Sequence, residues 1–146
     1  MTMRTLALAF TVSGLTAFLV ACNATMDPSP PPAVEAFLNA PFGLSAGQTA
    51  VLAEEHLSLT FLGVLDDTRC EIDTVCIQAG NATMSFQVEQ EGRPRTTLSL
   101  LLFSPGPQAP VYEGFRIDVQ QLMPNRKLNH TIRAEDYRVQ LLVDRP

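Results

Sequence analysis

Apolar and polar side chains alternate with a period of two along most of the second half of the chain. "TMSFQVEQ" (83–90) sets Met84, Phe86 and Val88 on one face against Thr83, Ser85, Gln87 and Glu89 on the other. "FRIDVQQLM" (115–123) does so with Phe115, Ile117 and Val119 against Arg116, Asp118 and Gln120, and "YRVQLLV" (137–143) with Tyr137, Val139, Leu141 and Val143. Such alternation marks antiparallel strands buried on one side. Two runs, "LSLTFLGVL" (57–65) and "TTLSLLLF" (96–103), are apolar nearly throughout. They predict central strands with Leu57, Leu59, Phe61, Leu98, Leu100 and Leu102 turned to the core. A shorter strand is expected at Thr49 to Leu52 and one short helix over 33–40, "AVEAFLNA".

Turn chemistry divides these segments. Glu91-Gly92 and Pro94 read as a hairpin, "SPGPQAP" (104–110) as a loop, and 125–136, after Pro124-Asn125, as a second long loop or a single helical turn. About six to seven strands with one apolar face each must cover one another. An all-β fold follows, an antiparallel β-sandwich (an immunoglobulin-like topology fits) or a small open barrel. At alternating strand positions Phe86, Phe103, Phe115, Tyr112 and Tyr137 read as core rather than as a stacking platform for a ligand. Met84 and Met123 read as packing rather than as copper ligands.

The first third has a different texture. Arg4 is followed by an uncharged, mostly apolar run from Leu6 to Ala21, shorter and more polar than a spanning helix and matching an export signal. It ends in Leu19-Val20-Ala21-Cys22, which resembles the lipobox of bacterial lipoproteins, where the cysteine is acylated and becomes the new N-terminus; the alternative is ordinary cleavage that leaves Cys22 free. Residues 1–21 are thus expected to be a lipoprotein signal peptide. Residues 22–32, "CNATMDPSPPP", form the lipidated cysteine and a proline-rich tether too poor in apolar groups to fold. Residues 33–146 form a single β-domain. The implied location is the bacterial cell envelope, on the outer membrane where a cell has two, since Asn23 lacks the aspartate that usually signals retention. Removing residues 1–21 takes the formal charge from −5 to −6, and the chain holds no basic run. Nucleic acid is therefore excluded as a partner, and so is adhesion to a membrane through charge alone.

With Cys22 assigned to the lipid, Cys70 and Cys76 remain as a pair, most simply a disulfide in an exported protein. The five residues between them are too many for a usual zinc-binding pair, and only His56 and His130 remain to complete a site. A redox Cys-x-x-Cys is absent. Asp66, Asp67, Glu71 and Asp73 offer oxygen ligands for calcium, but not at EF-hand spacing. No cofactor and no metal are expected.

The stretch from Gly47 to Val88 resembles a group of small bacterial lipoproteins and secreted proteins that has no assigned activity. In that group Gly-Gln and a strand are followed by Asp-Ser-Arg-Cys-Pro, a disulfide loop and Cys-x-Trp-Ala-Gly. The matching residues are Gly47, Gln48, Asp67, Arg69, Cys70, Val75, Cys76, Ala79 and Gly80; Glu71 replaces the proline and Gln78 the tryptophan. The resemblance implies an exported all-β domain with a Cys70–Cys76 bridge.

No nucleophile–base motif, His-Glu-x-x-His or phosphate-binding glycine loop is present. The chain is therefore expected to be no enzyme, but a lipid-anchored binding or structural module of the envelope. Loop 66–80 is its expected contact with an envelope partner, through Asp66, Asp67, Arg69, Glu71 and Asp73. Inhibition of an envelope or extracellular hydrolase through the same loop is the alternative.

Overall fold

The computed structural model describes residues 29–102 and 109–146. The signal segment, Cys22 and the tether up to residue 28 lie outside them, as do Phe103 and residues 104–108 of the proline-rich loop. Nine strands occur among the described residues: β1 (Val34–Glu35), β2 (Phe42–Ser45), β3 (Thr49–Leu52), β4 (Leu57–Asp67), β5 (Ala82–Gln90), β6 (Thr96–Leu102), β7 (Val111–Tyr112), β8 (Phe115–Met123) and β9 (Arg138–Asp144). They form a five-stranded sheet, β1-β3-β4-β5-β6, and a four-stranded sheet, β2-β9-β8-β7. All pairings are antiparallel except β1 with β3. The two sheets make a sandwich and do not close into a barrel.

The predicted inner faces meet between the sheets. Leu57, Leu59 and Phe61 of β4, Met84, Phe86 and Val88 of β5, Ile117 of β8 and Leu141 of β9 are buried. Phe61 and Phe86 lie opposite each other with ring centroids 5.2 Å apart, a spacing that adds aromatic attraction to the area removed from water.

Bulges explain where simple alternation fails. In β4 the pairing slips between Phe61 and Gly63 and again between Val64 and Asp66, so Leu62 and Leu65 have no partner across the ladder. An unbroken strand would turn Leu65 inward; here Val64 packs on the core, and both leucines are exposed. A slip between Val119 and Gln121 in β8 likewise turns Leu122 inward, which leaves Met123 exposed rather than packed.

Two further expectations change. Residues 33–40 form no helix: Val34, Ala36 and Leu38 turn to the core at alternate positions, as an extended chain does, and Val34–Glu35 adds an edge strand beside β3. The 96–102 run is not central but the opposite edge of the same sheet. Leu100 is buried and Leu98 and Leu102 pack against the core as predicted, while Leu101 faces outward. The segments 34–35, 42–45 and 111–112 are too short to show a period.

Leu59→Ala should cost about 3 kcal/mol, the usual loss for a fully buried leucine. Leu65→Ser, at an extruded position, should stay within about 0.5 kcal/mol of the parent. Urea denaturation of both variants checks the contrast.

Candidate functional site: the disulfide loop and its inner anchor

β4 delivers its last residue, Asp67, opposite Ala82, which is fully buried, so the carboxylate stands at the mouth of the interior. Oδ1 accepts hydrogen bonds from Arg69 Nε at 2.8 Å and the Arg69 backbone N–H at 3.2 Å. Oδ2 accepts from Arg69 Nη2 at 2.8 Å and from the hydroxyl of Tyr137, on the facing sheet's side, at 3.1 Å. Two further guanidinium hydrogens go to the carbonyls of Leu122 at 2.5 Å and Pro124 at 2.8 Å, where β8 ends. Arg69 thus joins the end of one sheet to the end of the other, with 13% of its side chain exposed and 7% of that of Asp67.

Above this pair the loop closes on itself. Thr68 and Asn81 exchange three hydrogen bonds across its base, at 2.7 to 3.1 Å. At Gly80 a Cβ would fall 1.5 Å from the Thr68 carbonyl oxygen, a contact only glycine permits. Cys70 and Cys76 are disulfide-bonded with their Cα atoms 6.0 Å apart. The long 124–137 connection, which holds a short helical turn at Ala134–Asp136, braces the loop from the side. Arg126 donates to the Arg69 carbonyl at 2.8 Å and to Glu71 Oε1 at 3.3 Å, the Ile72 N–H donates to the Arg126 carbonyl, and the Leu128 N–H donates to Asp73 Oδ1 at 2.9 Å.

The five polar residues singled out in the loop therefore have different surroundings. Asp67 and Arg69 are spent on each other and on the ends of the sheets. Glu71 is half-buried against Arg126, Asp73 holds Leu128, and Asp66 is exposed. The four carboxylates do not converge; among the described residues no three potential metal ligands cluster. What projects is apolar: Ile72 is largely exposed, and Val75 and Ile77 are as exposed as in an open chain. Sequence reasoning missed Tyr137 and Arg126 as partners of the loop. Tyr137 alternates like an ordinary core residue, and nothing nearby in sequence marks its hydroxyl.

His56 lies at the other end of the sandwich, in the left-handed turn before β4 with φ 50°. Its Nδ1 is 2.8 Å from Glu91 Oε2, and both side chains are mostly in solvent. His130 is exposed in the 124–137 connection.

Burial alone would raise the Asp67 carboxyl, but the hydrogen bonds and charge of Arg69, with the Tyr137 hydroxyl, outweigh it and hold the group below the usual carboxylate range. Burial, followed by the Asp67 charge, pushes the Tyr137 phenol up. The two shifts act at opposite ends of the pH scale. Asp67 contributes stability that is full above about pH 4 and is lost as pH falls through its depressed folded value. Tyr137 contributes stability that is full below about pH 10 and is lost as pH rises through its elevated folded value, when a phenolate would face a carboxylate. Thermal melts from pH 2 to 7 should show a shallower acid decline for Asp67→Asn than for the parent. Arg69→Leu, which strands the carboxylate and two carbonyls, should cost about 3 kcal/mol at pH 7 in a denaturation experiment.

Compared with known proteins, the chain matches no family model, no curated protein and no solved structure.

Proposed function

We propose that this protein is a lipid-anchored component of the bacterial cell envelope, held by acylated Cys22, and that it works as a non-catalytic binding or structural module. Its contact surface is the disulfide-braced loop 66–80. One observation carries this: the loop is rigidly held from within, yet its most prominent side chains, Val75 and Ile77, are apolar and wholly exposed. A monomeric domain gains nothing for its own stability from such a tip, and exposed apolar groups on a fixed frame are a mark of interaction sites. Bracing also removes most of the ordering cost that a floppy loop would meet on binding. The loop's polar residues then serve as the frame, and Asp66 and Asp73 as the rim of the contact.

The alternative, inhibition of an envelope or extracellular hydrolase, is favoured by the same exposed stretch. Ile72, Asp73 and Val75 stand in solvent as an inhibitory segment would, although Glu71 and Thr74 are half-buried.

A photoreactive benzophenone amino acid at position 75 of the lipidated protein, irradiated in cells, should give an adduct identifiable by mass spectrometry. The same group at Leu101, on the outer face of β6, should give none. An adduct that is a hydrolase, together with loss of its inhibition in a Cys70→Ser/Cys76→Ser variant, selects the alternative. No adduct at 75 overturns the assignment of the loop as the contact surface.

A further inference from the structure

The geometry points to the bilayer itself as the surface that the loop tip touches, an inference that rests on the lipid anchor proposed above. Its first support is the direction in which the tether leaves the domain. β1 runs parallel to β3, and β3 antiparallel to β4, so the residues preceding Val34 lead toward the end of the sandwich where β4 enters the disulfide loop. A corner at Gly47-Gln48 fixes this exit. Gly47, at φ +79°, donates to the Phe61 carbonyl at 2.7 Å. The Gln48 side chain accepts from the Ser45 N–H and donates to the Pro32 carbonyl, both at 3.0 Å.

Pro32 therefore sits level with Phe61. From there β4 climbs to Asp67; with its two bulges the climb matches the four residues from Phe86 to Ala82 on β5, about 13 Å at 3.3 Å per residue. Nine residues of proline-rich tether separate Cys22 from Pro32, and an extended form of that length reaches about 30 Å. A tether of that reach, attached where Pro32 leaves the sheet, exceeds the climb to Asp67, so it permits the loop tip to meet the lipid surface with the rest of the sandwich hanging away from it.

Chemistry separates the two ends in the same sense. The end toward the anchor carries the exposed apolar side chains Leu65, Ile72, Val75, Ile77, Met123 and Leu128. Its tip, Thr74 to Asn81, is eight residues without a charge. At the far end the turns carry Glu54, Glu91, Arg93, Arg95, Glu113 and Arg145 beside two exposed apolar side chains, Phe37 and Val111, that are not gathered on one loop. With a formal charge of −6 the mature chain has no net attraction for anionic headgroups, so the contact is apolar and shallow, two side chains entering among lipids to which the anchor has already confined the domain. Confinement supplies the effective concentration that so small a patch needs.

The chain contains no tryptophan, so single substitutions report unambiguously. The mature, Cys22-acylated protein carrying Ile77→Trp is reconstituted into phosphatidylcholine vesicles with and without brominated acyl chains. Glu54→Trp, at the far end, is the control; both sites are exposed, so neither change threatens the fold. The expected result is flotation of both proteins with the vesicles, and a blue-shifted Ile77→Trp emission quenched several-fold more by bromine than that of Glu54→Trp. Flotation with equal quenching of the two overturns the inference and leaves the anchor standing. A blue shift that appears only when envelope proteins are added overturns it in favour of a protein partner. Failure to float, with mass spectrometry showing Cys22 free of lipid, removes the anchor and this inference together.

Discussion

The Asp67–Arg69 pair ties the loop to the sandwich, and much else at that end of the molecule depends on it. A carboxylate at the rim of a hydrophobic interior is costly unless its charge is met and its lone pairs are filled. Arg69 meets both demands in the planar, two-point manner that a lysine lacks. The same guanidinium fills two carbonyl acceptors where β8 ends, and Tyr137 completes the carboxylate. With those five groups in place the chain can leave β4, turn back and re-enter at β5 along one path.

The remaining constraints act on that path in series. Thr68 and Asn81 pair across the base, Gly80 allows the two backbones to touch, the disulfide shortens the arc, and Arg126 reaches in from a segment 57 residues away to fill the Arg69 carbonyl. Each removes freedom from the frame, and none involves Val75, Ile77 or Gln78. Frame and tip are separate in their energetics as well as in space.

The long alternating strands and the disulfide were legible in the sequence because each writes a local signature: a period of two in 83–90, 115–119 and 137–143, and one even pair of cysteines. The phase errors were not, since a bulge is a property of two paired strands and leaves no mark on one of them; hence Leu65 and Met123 face solvent. Nor could the sequence rank strands 57–65 and 96–102 as central and edge, because each shows only its own apolar face. In the loop, the residues that matter were visible but their direction was not. Asp67 and Arg69 are polar and flank a turn, which suits outward contact as well as inward anchoring. Only the nearness of Tyr137 and the Leu122 carbonyl, both far along the chain, decides between them.

The division between frame and tip has a consequence for how such a protein can change. Substitutions at Val75 and from Ile77 to Ala79 touch nothing that the sandwich needs to fold, so these positions are free to drift, lengthen or be exchanged while Asp67, Arg69, Gly80 and the cysteines stay as they are. Grafting foreign peptides between Cys76 and Gly80 would exploit the same freedom, with the domain serving as a ready-made display scaffold.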